Sequence, residues 1–462
     1  MTTILEAKQV TDLLDRDPKD AMMIPYSEYY PLQLATLKKR FNNLMPKIKV
    51  LNRAAVDKGI SEINSEKDIV PLLFAHSTYK IYSETYISDN KWDKMNNWLS
   101  SLSTYDFTQV DVTGVKSIDG WLDCLDEAGF FVTHSSGTGG KPSFLPKAPE
   151  EFELFDKIIY HLGIAGYEIK KEEMGTIPVL MLLFKEGRTA MIRGLNKFAT
   201  ILAPEGQIHY AMPGIMSADR QRSQALTRKQ LREGSISGLK KMKAKAMTGI
   251  GNKVLGKWMK NFIEDAVEKY RDQRIFFFGP EPLAAKLALT YLPKGYNNLF
   301  APDSIISIGG GLKGAQLPPN HKEAICKFFG VRPENLLDGY GMTEKNPMPV
   351  NHKGKWILSP WEIPILLDED TGEFIEMDPT SDKKYTGQYA FFDTTALSYW
   401  GGIITGDRVT IDWSNWEGKE YAGPTISVEG RITDLEGIDA DKLSCSATFE
   451  DYFEEEGGLE EF

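Results

Sequence analysis

From about residue 130 the chain alternates short apolar runs with helical stretches. Phe130–Val132, Ile177–Phe184, Arg274–Phe278 and Ser304–Ile308 are each followed by glycine, proline or a polar turn. A strand that is apolar throughout must be covered on both faces, and helices between successive strands supply that cover. The alternation therefore predicts an α/β core on a largely parallel sheet. Residues 1–110 read differently. Tyr26, Tyr29, Tyr30, Leu32, Leu34 and Leu37 recur at helical spacing, and tryptophans and tyrosines crowd the stretch from Tyr79 to Tyr105. This pattern predicts a packed helical cap. A further helical stretch, 239–274, sets Leu239, Met242, Ala246, Val254, Trp258, Ile263 and Val267 on one side among many lysines. It reads as a solvated helix face, or as a docking surface for a phosphorylated cofactor or an acidic partner.

Composition removes several function classes. Three cysteines, Cys124, Cys326 and Cys445, are too few for a disulfide scaffold and fit a reducing, cytoplasmic setting. The first residues lack the basic and apolar regions of a secretion signal. The longest apolar stretches, such as Ile177–Phe184, are too short to span a bilayer. A net charge of −11 argues against nucleic acid as a partner. Local lysines and backbone N–H groups can still hold a small anion.

Glycine-rich segments carry the chemistry. His134-Ser135-Ser136-Gly137-Thr138-Gly139-Gly140-Lys141-Pro142-Ser143 follows an apolar run. Its glycines let the backbone curl around a ligand, and its hydroxyls, N–H groups and lysine suit phosphate oxygens. It lacks the spacing of the common mononucleotide loop. Gly309-Gly310-Gly311-Leu312-Lys313-Gly314 matches the dinucleotide fingerprint, with Glu334 downstream. Pro318 and Pro319 nevertheless block the helix that should start at its last glycine. It reads instead as a tight turn against a planar ligand. In Asp338-Gly339-Tyr340-Gly341-Met342-Thr343-Glu344 an aromatic between glycines can stack on a base. A hydroxyl beside a carboxylate can hold a phosphate oxygen and a divalent cation. Thr405-Gly406-Asp407 offers a carboxylate to a diol, or is plain hairpin chemistry. Gly430-Arg431-Ile432-Thr433-Asp434 follows a strand-like run.

In this order the segments resemble the motifs of the acyl-adenylate-forming superfamily of acyl-CoA synthetases, luciferases and adenylation domains. Within it, Gly309–Gly314 and Phe74–Tyr82 are more similar to the acyl-protein synthetase and phenylacetate-CoA ligase branch. The resemblance covers about residues 130–435. It implies a large adenylate-forming α/β domain with mixed and parallel sheets flanked by helices, plus a small β-rich subdomain. The expected segments are 1–125, the helical part; 126–345, the nucleotide-binding core; 346–434, the β-rich part ending at a hinge; and 435–462, an acidic tail.

The resemblance also implies roles. Ser135, Ser136, Gly137, Thr138, Gly139, Gly140 and Lys141 would cradle the phosphates of ATP. Gly309, Gly310, Gly311, Asp338, Tyr340 and Gly341 would line the adenine side. Thr343 would meet the α-phosphate and Glu344 the Mg²⁺. Asp407 would take the ribose hydroxyls of ATP or AMP, with Arg431 beside them. The small-molecule carboxylic acid, fatty or aryl, would lie near Phe131, His76 and His134, with His134 meeting its carboxylate. Pyrophosphate leaves, and a thiol of CoA, a carrier protein or a protein cysteine accepts the acyl group. Cys445 is the candidate cysteine, and an acyl-CoA reductase or carrier protein is the implied partner. Gly139 stands where the family often has threonine, and Thr433 where it often has aspartate. Only 28 residues follow Asp434, so the C-terminal domain with its bridging lysine is expected to be absent or vestigial, Lys442 being the one lysine past the hinge. A dinucleotide-dependent oxidoreductase, and a nucleotide- or acyl-adenylate-binding subunit without turnover, remain as rival readings.

Overall fold

Apolar strands lie parallel in a five-stranded sheet in the order Ile208–Met216, Val179–Gly187, Phe276–Pro280, Ile305–Gly309, Leu336–Asp338. The computed structural model describes residues 7–135, 141–232, 234–235, 238–310 and 316–432. Two compact units divide the chain. One takes Ser136–Pro142 and Gly166–Gly341, the other Met1–Ser135, Ser143–Ala165 and Met342–Phe462. No helix among the described residues is long and apolar enough to cross a membrane.

The parallel sheet belongs to the unit that holds Gly166–Gly341. Helices Ala190–Leu202, Ala218–Arg232, Gly238–Tyr270, Glu281–Tyr291 and His321–Phe329 fall between its strands in sequence. Numbered along the chain, the spatial strand order is 2-1-3-4-5, a doubly wound arrangement. Leu180, Leu182, Phe277, Ile306, Phe328 and Phe329 are fully buried in its core. The long helix joins that core through Met259, Phe262, Ile263, Ala266 and Tyr270. Met242 and Val254, which share the apolar side by spacing, are 69% and 40% exposed, in keeping with a solvated helix face there. Among the described side chains of this 33-residue helix, those that join the core lie between Leu255 and Tyr270.

The other unit is built on a mixed seven-stranded sheet. Its path runs Glu362–Leu367, Lys384–Asp393, Gly402–Asp412, Thr425–Arg431, Lys355–Ile357, Val350–His352. Gly402–Asp412 is the pivot. Along Asp407–Asp412 it pairs with Thr425–Arg431, and at Ile403 and Ile404 it pairs instead with the two-residue strand Phe74–Ala75, in parallel. The apolar run near residue 130 becomes the strand Phe131–His134. It pairs antiparallel with Phe144–Lys147 and stays outside the parallel sheet expected for it. Apolar content alone does not distinguish a hairpin arm from a parallel strand.

The N-terminal region is helical as its spacing predicts, with Tyr26–Leu44, Lys49–Asp57, Trp92–Ser101 and Ile118–Glu127 as the longer helices. Its aromatics are core. Tyr79, Tyr82, Trp92 and Trp121 are essentially inaccessible. Trp92 stacks on Trp121 at 5.8 Å, and Trp121 Nε1 donates to Asn96 Oδ1 at 2.8 Å. Helix Tyr26–Leu44 is also tied to the sheet by polar bonds. Gln33 Nε2 donates to the carbonyls of Pro360 and Glu362, and Arg40 Nε to that of Thr394.

His161, at the end of helix Pro149–His161, is 2% exposed. Its Nε2 donates to the Leu14 carbonyl, while Nδ1 has no partner among the described residues. A second proton would create a buried N–H without an acceptor, and burial pushes the imidazole down from 6.5 to about 4. The unfolded chain therefore binds a proton that the fold refuses. The contribution is fully present above pH 6.5 and is lost as pH falls towards 4, about 3 kcal/mol in all at roughly 1.4 kcal/mol per unit. In urea titrations at several pH values, His161→Gln is expected to show a shallower acid loss than wild type. Equal slopes would contradict this account.

Candidate functional site

The register of the mixed sheet brings one group of polar side chains together. Asp407 pairs across the strands with Arg431, and its Oδ1 lies 2.9 Å from Arg431 Nε. Asp407 is 5% exposed, whereas the Arg431 side chain is about half exposed at 52%. The alternative reading of Gly406-Asp407 as a hairpin turn does not hold: both residues lie inside the strand Gly402–Asp412, just before a register shift at Arg408/Val409. Such a bulge re-aims side chains along a strand. On the other flank Phe74–Ala75 leads into His76, whose N–H donates to the Ile404 carbonyl at 2.9 Å. A Cβ on Gly406 would meet Arg431 Nη1 at 3.1 Å and His76 Cε1 at 3.6 Å. Glycine there lets guanidinium and imidazole close over the strand. Burial, with Lys80 and Arg431 nearby, pushes the His76 imidazole down to about 4, so it is neutral at pH 7.

A second group forms around the hairpin. Glu344 is 7% exposed, and its Oε1 accepts from the Ser143 hydroxyl at 2.9 Å. The Ser143 N–H donates to Ser135 Oγ at 2.8 Å, and the Ser135 N–H to the Ser143 carbonyl at 3.0 Å. Ser135 and Ser143 are thus joined by two hydrogen bonds at the end of the hairpin, with the Ser135 hydroxyl oxygen as an acceptor. His134 is 1% exposed, with Nδ1 3.0 Å from the Ser135 carbonyl, which places the ring proton on that nitrogen. Thr343 is half-buried beside Glu344, and Phe131 is 43% exposed.

Behind Glu344 lies a buried charged network that the motifs do not announce. Lys147 Nζ donates to Asn346 Oδ1 at 2.9 Å and to the Tyr399 hydroxyl at 3.0 Å. Asp393 accepts the Asn346 N–H and the Tyr399 hydroxyl on one oxygen, and the Thr395 N–H and hydroxyl on the other. Glu151 caps its own helix by accepting the Ala148 N–H, and it also takes the Leu397 N–H and the Ser398 hydroxyl. Burial raises the Glu151 carboxyl above its usual range, against the pull of Lys147 and these donors. A signal for the network does exist in the sequence. Lys147, Glu362 and Asp393 are charges set next to apolar strand residues, and such charges require buried partners.

In the other unit the motif residues sit at the carboxyl ends of parallel strands. Gly309 closes Ile305–Gly309, and Gly310 follows with φ of 77°, a left-handed conformation that favours glycine. Asp338 ends the last strand and accepts from Lys322 Nζ at 3.2 Å, and Tyr340 is half-buried between exposed Gly339 and Gly341. The next helix among the described residues is His321–Phe329, beyond Pro318 and Pro319. Lys141 is half-buried. Ser136, Gly137, Thr138, Gly139, Gly140, Gly311, Lys313, Thr433, Lys442 and Cys445 lie outside the described residues.

Among the described residues no group of three or more His, Cys, Asp or Glu could hold a metal ion. A Mg²⁺ that arrives with phosphates needs only one or two protein carboxylates, and Glu344, oriented by Ser143, fits that requirement. Cys124 and Cys326 are free, and burial pushes both thiols up, away from the reactive thiolate.

No protein-family model matches the sequence, and no curated protein matches it. Solved structures do resemble the fold. An open conformation of 2-hydroxyisobutyryl-CoA ligase in complex with 2-HIB-AMP and CoA aligns over 90% of this chain and 77% of its own, at 13% identity and a TM-score of 0.53. The same ligase in its postadenylation state with R3-HIB-AMP aligns over 90% and 70%, at 14% identity and TM-score 0.49. A long-chain-fatty-acid-CoA ligase from Archaeoglobus fulgidus aligns over 66% and 52%, at 11% identity and TM-score 0.38. The fold comparison rests on the first: the chain shares the adenylate-forming α/β fold of that ligase.

Removing one member of a buried charge network leaves the others unpaired, which typically costs about 3 kcal/mol or more. Lys147→Met is expected to lower unfolding stability by that amount in urea titration. A loss below about 1 kcal/mol, the range of a surface pair, would contradict the role of Lys147 as counter-charge.

Proposed function

We propose that this chain activates a carboxylic acid with ATP, forming an acyl-adenylate and releasing pyrophosphate, and then passes the acyl group to a thiol. The observation that carries the reading is the pairing of motif and fold. The ordered segments that resemble adenylation motifs occur on a chain with the adenylate-forming fold, and Glu344, Asp407 and Arg431 have surroundings suited to the roles that resemblance implies.

The chemistry needs little covalent work from the protein. The substrate carboxylate attacks the α-phosphorus, the bond to the β-phosphate oxygen breaks, and pyrophosphate carries the electron pair away. Positioning and neutralisation of the gathering charge supply the rate. Glu344, held by Ser143, would carry the Mg²⁺, whose charge would balance the phosphates. Asp407 would accept from the ribose hydroxyls while Arg431 holds its carboxylate in place. Neutral His76 beside them adds hydrogen-bonding capacity without charge, and His134 would face the acid. The roles of Ser135–Lys141, Gly309–Gly311, Asp338, Tyr340 and Gly341 towards ATP belong to the same proposal. In the second half-reaction a thiolate attacks the adenylate carbonyl and AMP leaves. CoA is the favoured acceptor, because the fold-sharing ligase holds an acyl-adenylate and CoA together. A carrier thiol or Cys445 are its competitors. An aliphatic or aryl acid fits equally.

The test is acid-dependent exchange of labelled pyrophosphate into ATP across a panel of fatty, hydroxy and aryl acids. Exchange with at least one acid is expected, and Glu344→Gln should lower it by a factor of 100 or more, on the order of 3 kcal/mol of transition-state stabilisation. ATP binding without exchange by any acid would reduce the chain to a nucleotide-binding subunit. NAD binding without pyrophosphate release would favour the oxidoreductase.

A further inference from the structure

Glu362 is a buried charge that the chemistry above leaves unused. Its side chain and that of Lys345 both have zero exposure, and Lys345 Nζ donates to Glu362 Oε1 at 2.5 Å. The Tyr389 hydroxyl donates to the same oxygen. Oε2 is buried and accepts from nothing among the described residues.

The two donors lead towards two motifs. Lys345 directly follows Glu344 in the chain. Tyr389 lies in the strand beside Gly402–Asp412, and its carbonyl accepts from Thr405 Oγ1 at 2.8 Å. That hydroxyl accepts the Asp407 N–H at 3.1 Å. The neighbouring Gln388 Nε2 donates to the Thr405 carbonyl at 2.9 Å. An unbroken series of bonds therefore joins Lys345, Glu362, Tyr389, Thr405 and Asp407. One end is Lys345, the residue next to Glu344, and the other is the backbone N–H of Asp407, so the series links the backbone around the two carboxylates assigned above to the metal and to the ribose.

Stability does not account for the arrangement. Desolvating two charges costs about as much as their attraction returns, and apolar residues of similar volume hold a core as well or better. The orphaned Oε2 adds a further cost. We propose that Glu362 is a positioning residue, which fixes Glu344 relative to Asp407 so that one nucleotide meets both carboxylates at once. The inference rests on the function proposed above. Misplacement by about 1 Å can cost a hundredfold in rate, so the effect should appear in kcat more than in affinity.

The full chain is assayed by pyrophosphate exchange in three forms. Lys345→Met combined with Glu362→Met removes both charges of the pair together, at the cost of the Tyr389 hydroxyl's acceptor, so the variant is expected to fold with a Tm close to that of wild type. Tyr389→Phe removes one donor and is expected to touch neither acid nor nucleotide. The expected result is a fall in exchange kcat of at least tenfold for the double variant and several-fold for Tyr389→Phe, with the KM for ATP changing less than kcat. Wild-type kcat in a folded double variant overturns the inference and leaves the function standing. If the double variant does not fold, Tyr389→Phe decides alone, and wild-type kcat there overturns the inference. A wild-type chain that exchanges with no acid overturns the function and the inference together.

Discussion

Asp393 has no access to water, and the mixed-sheet unit is organised around keeping it satisfied. A buried carboxylate with too few donors would cost several kcal/mol. Here Asn346, Thr395 and Tyr399 supply four hydrogen bonds, and Lys147 reaches the same cluster through Asn346 and Tyr399. These donors belong to a hairpin arm, the segment after Glu344, and the loop after strand Lys384–Asp393. Meeting the needs of one carboxylate therefore fixes three pieces of chain at once. The backbone on either side of Glu344 inherits that rigidity, which helps a site whose chemistry is mostly positioning.

How much of this was readable depends on the distance between partners. The parallel strands were legible because their signal is local: apolar residues in short runs bounded by breakers. The helical start was legible for the same reason, and its aromatics proved to be core. The pairing of Phe131–His134 with Phe144–Lys147 was not, since an apolar run looks alike in a hairpin and in a parallel sheet. Met242 and Val254 share a side by spacing yet stay exposed, because helical periodicity reports a stripe, not whether a neighbour exists to cover it. The buried charges were least legible. Ser143 and Glu344 are 201 residues apart, Lys147 and Asn346 199, and Arg40 and Thr394 354, and no local pattern carries such a pairing.

The candidate site divides along the same line. Residue types that suit phosphate, metal and diol could be picked out one by one, because each motif is short. Their surroundings could not. Gly406 reads as a turn glycine, yet it sits inside a strand, where its missing Cβ makes room for His76 and Arg431. His76 stood only among candidates for the acid pocket, and it is a two-residue strand in a particular register that brings it beside Arg431 and Gly406.

The interleaving of the two units has a consequence for synthesis. Gly166–Gly341 is continuous in sequence and builds a whole parallel sheet from local crossovers, so it can complete soon after it leaves the ribosome. The other unit cannot. Val10 waits for Trp361, Gln33 for Pro360 and Glu362, and Phe74 for Ile403. Until those strands emerge, the N-terminal helices carry their aromatic faces without the surface that buries them. The nascent chain thus passes through a long interval in which its largest apolar side chains are made but not yet housed, and chaperone demand should be set by that interval more than by the stability of the finished fold.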